Sequence, residues 1–357
     1  MRVSVVLEQC LAPVPGGTGR YSRELTRALA AQAPGGSTVE GVTAWHRHAV
    51  DLGVPVRRLP LPRRGLVASW ERGFPPYVAA DVVLAPTPLH PVRRKHPLVV
   101  TVHDAVPWTH PETLTPRGVR WHVAMVERAA ATADLLVVPT QAVADELALR
   151  VKLREVLVVG EGVSADLALP ADADERAARL ELPEQFLLTV STLEPRKGLT
   201  QLIEALPAVD LPLLCVGQAG WGGVSVEDVG RRVGVSVRAL GRVADADLAV
   251  LLDRATALVV PSLAEGFGLP LLEGMAAGTP VLTSDAAALI EVAGGAALAV
   301  PLADLGDGLR QITQDETLRA RLREAGPERA AAFTWEGAAT RLWRAFTELH
   351  EADIRQA

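Results

Sequence analysis

Two glutamates, Glu265 and Glu273, lie eight residues apart around a glycine-rich turn. A short β-branched run, Ala257–Val260, precedes them and predicts a buried strand that ends at this turn. Eight residues of helix rise about 12 Å, whereas the paired carboxyls of retaining glycoside hydrolases stand about 5–5.5 Å apart. Two separate hydrogen-bonding roles on one extended ligand therefore fit the pair better than a hydrolase dyad. Two merely solvated glutamates are the alternative.

The same turn predicts an anion site at a helix N-terminus. Pro270 stands near the start of a helix predicted over Leu271–Ala277, where its missing N–H leaves no hydrogen bond unmade. Backbone N–H groups at such a helix start point outward and bind anions or polar ligands. Three residues would supply these groups: Phe267, Gly268 and Leu269.

A basic pair, Arg196 and Lys197, follows another predicted buried strand, Phe186–Val190, and precedes a helix predicted over Leu199–Leu206. Arginine offers a fork of donors and lysine a point charge, and this combination suits a diphosphate. Only three of the 36 basic residues are lysines, so a lysine at this position is unusual. An ordinary surface pair is the alternative.

Near the N-terminus, a strand predicted over Val3–Leu7 leads into a loop that contains Gly16 and Gly17. A dinucleotide fingerprint needs its glycines directly after the strand and an acidic residue about 20 positions later. Here the glycines come some nine residues after the strand, and Ser22 stands in place of the third glycine. This spacing disfavours a nicotinamide dehydrogenase and favours a glycine loop that a sugar phosphate can approach closely.

His103 directly follows a strand predicted over Leu98–Val102, at the carboxyl end of that strand. We expect its side chain to face a ligand cleft, where a neutral imidazole could hydrogen-bond a sugar hydroxyl or assist proton transfer. A structural histidine with both nitrogens satisfied is the alternative.

The acidic and sulfur-containing residues predict neither a metal site nor a disulfide. The Asp172–Asp174 string lies in a predicted linker, and Asp245 is predicted to cap a helix over Asp245–Ala255. The two cysteines, Cys10 and Cys215, stand in apolar, strand-like surroundings.

Composition indicates a folded, cytoplasmic protein with two unlike halves. Of 357 residues, 49% are hydrophobic and 22% are charged, which excludes a disordered chain. No uncharged apolar run reaches the roughly 18 residues that span a bilayer, and no secretory signal is expected at the N-terminus. Residues 1–165 carry 19 basic and 14 acidic side chains, a net charge of +5. Residues 166–357 carry 17 and 28, a net charge of −11.

The basic excess is concentrated between residues 55 and 95. Its basic side chains are Arg57, Arg58, Arg63, Arg64, Arg72, Arg93, Arg94 and Lys95. This segment is either a solvated face or a surface for an anionic membrane or a phosphorylated acceptor, at about 1 kcal/mol per basic residue near anionic lipid. With an overall charge of −6 and no interleaving of aromatic and basic residues, nucleic acid is not an expected partner.

Predicted strands and helices alternate along nearly the whole chain. Further strand runs are Leu135–Val138, Val156–Val159, Leu213–Val216 and Pro280–Thr283, and further helical patterns cover 20–33, 118–131 and 141–150. Buried strands separated by helices predict doubly wound parallel sheets, which bind ligands at the carboxyl ends of their strands. With the segment 163–183 as linker, we expect an α/β protein of two Rossmann-like domains, 1–165 and 166–334, that face a cleft.

Together these segments resemble family 4 of the retaining glycosyltransferases, whose two Rossmann-like domains form the GT-B fold, and most closely its bacterial mannosyltransferase-like branch. The resemblance covers nearly all of the chain, in the family's order and spacing. It is carried by GGTGRY, TVHDAVPWTHPE, VVPTQAVADEL, STLEPRKG, VGQAGW, EGFGLPLLEGMAAGTPV and FTWEGAATRLW. The E-x7-E spacing of Glu265 and Glu273 is the most specific of these features. Ser191 and Thr192 depart from the pattern, since many members have Gly-Arg there and so a second phosphate-binding arginine.

The resemblance implies a role for each matching residue. Arg196 and Lys197 would hold the donor diphosphate, the Gly16–Gly17 loop would close over it, and Glu273 would bind the ribose. Glu265 and the amides of Phe267, Gly268 and Leu269 would bind the transferred sugar, Val243 would lie at the base, and His103 on the acceptor side. The resemblance also implies metal-independent transfer with retention of configuration, and a final helix, 335–357, that packs on the N-terminal domain.

The expected activity is transfer of a hexose from a nucleotide-diphosphate sugar to a hydroxyl acceptor, without a cofactor. GDP-mannose is the expected donor. The acceptor would be lipid-linked if the basic segment 55–95 contacts the inner face of a membrane. One alternative is a natural-product or small-molecule glycosyltransferase that uses a UDP- or dTDP-sugar, and another is a catalytically silent sugar-nucleotide-binding protein.

Overall fold

The computed structural model describes residues 1–47, 51–92, 96–220, 222–223 and 225–356. The chain divides into two compact units. The first domain comprises Met1–Glu161 and Thr334–Ala357, and the second domain comprises Gly162–Phe333. The sequence predicts this division after residue 165, four residues further along the chain.

A parallel sheet forms the centre of the first domain, with seven strands within the part of the chain that the structure describes. The strands are β1 (Arg2–Val6), β2 (Thr38–Trp45), β3 (Val56–Pro62), β4 (Val82–Ala85), β5 (Leu98–Thr101), β6 (Leu135–Val138) and β7 (Val156–Val158). Their order is β3-β2-β1-β4-β5-β6-β7. The strands β4, β5 and β6 are buried along their whole length, as parallel strands covered on both faces must be.

Helices that follow these strands cover the first sheet. They are α1 (Gly16–Ala31), α2 (Arg63–Glu71), α3 (Val106–Thr109), α4 (Pro116–Thr132) and α5 (Gln141–Ala148). Two of them start at threonine caps, because the hydroxyl of Thr115 accepts from the Gly118 amide and that of Thr140 from the Val143 amide. Helix α2 buries Leu66 and Trp70 completely, so it is anchored in the core.

The second domain has its own parallel sheet, with six strands among its described residues. The strands are β8 (Leu187–Val190), β9 (Leu213–Val216), β10 (Val237–Gly241), β11 (Ala257–Val260), β12 (Val281–Ser284) and β13 (Leu298–Val300). The accompanying helices are α6 (Ala173–Arg179), α7 (Leu199–Ala205), α8 (Val226–Val233), α9 (Asp245–Arg254), α10 (Leu269–Ala276), α11 (Ala287–Ala293), α12 (Leu305–Gln314) and α13 (Glu316–Ala330). The order β10-β9-β8-β11-β12-β13 is that of the Rossmann fold. The prediction of an α/β fold with two doubly wound parallel sheets is confirmed.

The strand order of the second sheet reverses between β8 and β11. These two strands are paired, with Leu187 opposite Ala257. In doubly wound sheets, ligands bind outside the carboxyl ends of the two strands at this switch point. The segments that leave these ends are Ser191–Gly198 and Pro261–Gly268, which contain the basic pair and the first glutamate of the E-x7-E spacing. Topology therefore brings two distant motifs to one edge of one sheet.

The last helix, α14 (Trp335–Gln356), belongs to the first domain and packs on α1. The indole nitrogen of Trp343 donates to the Leu29 carbonyl over 3.0 Å, and the rings of Trp335 and Tyr21 meet edge to face at 5.8 Å. Leu342, Trp343 and Phe346 of this helix are buried in the core of the first domain.

Two predictions about segment boundaries were wrong. The segment 163–183 is not a linker, because it folds as part of the second domain: Arg176 of α6 binds Asp172 and Asp247 at 2.8 and 2.7 Å. Asp245 does not hold the cap position of α9, since Ala244 holds it and Asp245 is the first helical residue. The acidic, alanine-rich composition of the segment 163–183 reflects the mostly solvated helix α6.

We expect Trp343→Ala to lower the free energy of unfolding of the first domain by about 3–5 kcal/mol, because it opens a cavity and removes the bond to Leu29. The control is Trp45→Ala, since Trp45 is 54% exposed in the same domain and should change stability by less than about 0.5 kcal/mol. Scanning calorimetry measures both. Equal effects of the two changes would contradict the packing described for α14.

Candidate functional site

Two loops of the second domain are held together at the switch point. After β8 the chain makes a short helical turn, Pro195–Lys197, and Gly198 follows with φ of 65°. The Leu263 amide of the second loop donates to the Arg196 carbonyl over 2.9 Å. A Cβ atom on Gly198 would lie 1.9 Å from the Pro261 carbonyl oxygen. A glycine is therefore required here both by the left-handed backbone and by the close approach of the loops.

The carboxylate of Glu265 is the centre of a compact charge cluster. The Lys197 ammonium donates to its Oε1 over 2.5 Å and the Arg196 guanidinium to its Oε2 over 3.2 Å. The Ser262 hydroxyl donates to Oε1 over 2.8 Å. Arg196 also binds Glu194, at 3.1 Å. These five residues, two acids, two bases and a hydroxyl, are called the Glu265 cluster below.

Burial by itself would raise the pKa of Glu265, since it disfavours the charged form. The charges of Lys197 and Arg196 and the hydrogen bonds from Lys197 and Ser262 outweigh this effect and lower the pKa to about 2. Glu265 is thus an ionised, weakly basic carboxylate. The Lys197 ammonium carries three N–H groups, and within the described chain only Glu265 takes one of them. The cluster can therefore accept a further anion.

Helix α10 begins beside this cluster in sequence, immediately after Gly268. Gly268 has φ of 93°, a left-handed backbone conformation that favours glycine at the start of this helix. Phe267 and Leu269 are buried, which fixes the backbone that carries the predicted N–H donors. Glu273 is buried on α10, and Val243 lies partly exposed between β10 and α9. Their assigned roles stay predictions.

The glycines of the first domain lie in a different setting from the one predicted. Gly16 and Gly17 form the exposed first turn of α1, so the predicted loop is the start of a helix. The side-chain amide of Gln9 donates to the Pro15 carbonyl over 3.0 Å, and a Cβ atom at Gly19 would lie 2.4 Å from the Cβ atom of Pro15. The absence of a side chain at Gly19 lets Pro15 pack against the first turn of α1. A role of Gly16 and Gly17 at the donor stays a prediction.

His103 follows β5 and is engaged through both ring nitrogens. Its Nε2 lies 2.8 Å from the Pro86 carbonyl oxygen, and its Nδ1 lies 3.6 Å from the buried Glu161 carboxylate. The Tyr21 ring packs edge to face on it, with 4.6 Å between centroids. Burial disfavours the charged ring, but Glu161, the Pro86 carbonyl and Asp104 together raise the pKa of His103. The sequence predicts a neutral imidazole here, and these contacts shift the ring's protonation equilibrium towards the charged form.

Sequence reasoning missed three side chains that complete these arrangements. Glu194 lies within STLEPRKG and Ser262 lies three residues before Glu265, so a closer reading of those segments could have included both. Glu161 is 58 residues from His103 and belongs to no motif, so nothing in the sequence pairs the two.

The basic segment 55–95 serves the fold in part. Arg57 binds Glu40 at 3.0 Å, and Arg63 lies 3.6 Å from the buried Glu8 carboxylate. Arg58, Arg64 and Arg72 are exposed. Three further basic residues lie outside the described residues: Arg93, Arg94 and Lys95.

The described residues contain no group of three or more potential metal ligands. Burial raises the pKa of Cys10 to about 11 and that of Cys215 to about 12, so both thiols stay protonated near neutral pH. None of the described helices is both long and apolar enough to cross a bilayer.

We expect Gly198→Ala to disrupt the second domain, because both the backbone angle and the Pro261 carbonyl oppose a side chain. The control Gly234→Ala shares a left-handed backbone, φ of 82°, but has no atom within 4 Å of the added methyl group. Gly234→Ala should cost about 1–2 kcal/mol and lower the calorimetric melting temperature by a few degrees. Gly198→Ala should lower it at least three times as far, and equal shifts would contradict the close contact of the two loops.

We expect Glu161→Gln to lower the pKa of His103, because the uncharged glutamine side chain stabilises the protonated ring less than the carboxylate does. Titration of the His103 ring signals by NMR measures this, and wild type should stay protonated to higher pH than the variant. Glu112→Gln removes an exposed carboxylate from the same domain and should leave the titration unchanged. Identical titrations of wild type and Glu161→Gln would show that Glu161 does not control the ring.

Comparison with known proteins finds a family similar to most of the second domain. Residues 171–329 match the model described as "Glycosyl transferases group 1". The O-antigen chain mannosyltransferase B of Escherichia coli is 34% identical over 177 residues, which are 45% of this chain and 45% of that protein. The D-inositol 3-phosphate glycosyltransferase of Streptomyces avermitilis is 31% identical over 258 residues, 63% of this chain and 54% of that protein. The chain thus spans about half the length of these relatives.

Solved structures resemble the whole chain in fold. A sucrose-phosphate synthase from Thermosynechococcus elongatus superposes with a TM-score of 0.77 at 23% identity, over 99% of this chain and 100% of that one. WaaG, a glycosyltransferase involved in lipopolysaccharide biosynthesis, superposes with a TM-score of 0.72 at 20% identity, over 97% and 99%. Residues 171–329 are thus similar to the glycosyl transferases group 1 family, and the two parallel-sheet domains of the chain have the GT-B fold.

Proposed function

We propose that this protein is a glycosyltransferase that moves a hexose from a nucleotide-diphosphate sugar to a hydroxyl acceptor. The observation that carries the proposal is the Glu265 cluster at the switch point of a sheet whose sequence matches a glycosyltransferase family. A transferase of this kind must stabilise the diphosphate as it leaves the sugar. Cations held in place before the reaction do this without reorganising during it.

The basic pair and the start of α10 would share this task. Lys197 keeps N–H groups available for phosphate oxygens, and the partial positive charge at the N-terminus of α10 favours the same anion. We propose that these groups supply the stabilisation that a divalent cation gives in other nucleotide-sugar sites, so that transfer proceeds without metal. Glu273 on the same helix would bind the ribose, and Val243 would lie against the base.

Glu265 would bind hydroxyls of the transferred sugar rather than act as a base. A carboxylate with a pKa of about 2 is a weak base, and its two oxygens are already held by Lys197, Arg196 and Ser262. This favours displacement on the same face of the sugar, in which the leaving phosphate accepts the proton of the acceptor hydroxyl. The anomeric configuration would then be retained.

The names of the relatives favour a mannosyl donor. The O-antigen enzyme of Escherichia coli is a mannosyltransferase, and a phosphatidyl-myo-inositol mannosyltransferase of Mycobacterium leprae is 35% identical over 167 residues, 43% of this chain and 43% of that protein. We therefore propose GDP-mannose as the donor and a polysaccharide or a lipid-linked hydroxyl as the acceptor. The exposed arginines Arg58, Arg64 and Arg72 would contact an anionic membrane surface during transfer.

Release of nucleoside diphosphate from GDP-mannose, UDP-glucose and dTDP-glucose tests the proposal. Each donor is combined with a mannose oligosaccharide, with inositol 3-phosphate or with phosphatidylinositol vesicles. We expect acceptor-dependent turnover of GDP-mannose without added metal, and a fall of about 100-fold or more in Lys197→Met, because one stabilising group is lost. Lys152→Met is the control, since Lys152 is an exposed lysine of the first domain and should not matter.

The outcomes separate the alternatives. Turnover of UDP- or dTDP-glucose alone would keep the transferase and overturn the mannosyl donor. Donor binding without turnover of any donor would indicate a silent sugar-nucleotide-binding protein. Equal rates for Lys197→Met and Lys152→Met would contradict the role given to the Glu265 cluster.

A further inference from the structure

A small cavity lies in the first domain, where the end of α2 meets α4. Its volume is about 270 Å³, close to the lower end of the range of about 300–1,000 Å³ for small-molecule sites. Its walls are Glu71, Arg117, Arg120, Trp121, Met125 and Arg128, together with Ala124. Three of these side chains are cationic and one is anionic, so the cavity has an excess of positive charge.

Arg128 is held on one side of the cavity without a carboxylate partner among the described residues. Its guanidinium donates to the Trp70 carbonyl, to the His90 carbonyl over 3.1 Å and to the ring Nε2 of His90 over 3.2 Å. Burial and the charge of Arg128 lower the pKa of His90 to about 4, so this ring is neutral near neutral pH. All three partners are uncharged, and the positive charge of Arg128 stays uncompensated.

Arg117 and Arg120 lie in the first two turns of α4, where cations oppose the helix dipole. Neither forms an ion pair or a side-chain hydrogen bond within the chain as described, and both are exposed. Packing does not explain why this helix start carries two arginines and no acidic residue. An anion in the cavity would compensate both charges and the dipole together.

Trp121 lies in the wall of the same cavity. Its indole nitrogen is buried and has no hydrogen-bond partner in the described structure. A buried donor left unpaired costs about 1–3 kcal/mol, which an acceptor atom in the cavity would recover. The cavity thus combines an unpaired N–H with two available guanidinium groups.

We propose that this cavity binds a phosphate group, as a phosphorylated small molecule or as the headgroup of an anionic lipid. Arginine forks match the oxygens of a phosphate, and the indole N–H adds a directed bond to one of them. Glu71 in the wall offsets part of this positive charge. The site belongs to the first domain alone and uses none of the residues of the Glu265 cluster, so it stands or falls independently of glycosyl transfer.

Binding of inorganic phosphate to the full chain, labelled at its indole nitrogens, tests the site. The chain has seven tryptophans, and Trp121→Phe identifies the Trp121 signal. At constant ionic strength we expect that signal to shift saturably, with a dissociation constant on the order of 1 mM. Arg117→Ala/Arg120→Ala should weaken binding at least about tenfold, the factor expected when charge-assisted bonds are lost.

The control is Arg341→Ala/Arg344→Ala, which removes two exposed arginines at the same spacing from α14 of the same domain and should bind phosphate like wild type. No saturable shift in wild type, or equal weakening in both double variants, would overturn the proposal.

Vesicles identify the source of the phosphate group. Phosphatidylcholine vesicles with and without phosphatidic acid are compared in sedimentation with wild type and both double variants. Retention on phosphatidic acid that Arg117→Ala/Arg120→Ala abolishes assigns the site to a lipid headgroup. Phosphate binding with no such retention assigns it to a soluble phosphorylated molecule.

Discussion

A buried carboxylate held by two cations is the interaction on which the account of this protein depends. Glu265 binds Lys197, Arg196 and Ser262, and these contacts join the loops that leave two neighbouring strands. A buried ion pair contributes modestly to stability while intact, but losing one partner leaves an uncompensated charge and costs about 3–5 kcal/mol. The cluster therefore fixes the positions of its cations more than it stabilises the fold. Fixed cations are what a leaving diphosphate requires.

The strand order makes this cluster possible. Glu265 and Arg196 are 69 residues apart, and they meet because β8 and β11 are neighbours at the point where the order of the second sheet reverses. Gly198 then allows the loops to approach to a distance that any side chain would prevent. The Glu265 cluster, the strand order and Gly198 thus involve the same two loops. The basic pair and the first glutamate of the E-x7-E spacing both lie in these loops.

The sequence predicted eight of the described strands, because continuous apolar runs such as Leu135–Val138 and Ala257–Val260 need no context to be recognised. It missed β2, β3, β4, β10 and β13. Of these, β3, β10 and β13 are only partly buried, whereas β4 is a fully buried run of only four residues. The sequence singled out Glu265, Lys197 and His103 by motif and position. The contact of Lys197 with Glu265 and that of His103 with Glu161 join residues far apart in the chain. Such pairs depend on strand order, which local patterns do not contain.

Calorimetric titration with GDP and UDP, each compared with its monophosphate, tests the central claim most directly. If the Glu265 cluster recognises the diphosphate, the favoured nucleoside diphosphate should bind at least about tenfold more tightly than its monophosphate, a difference of about 1.4 kcal/mol. Lys197→Met should remove this difference and leave the monophosphate affinity unchanged. Equal affinity for mono- and diphosphate in wild type, or an undiminished difference in Lys197→Met, would contradict the account.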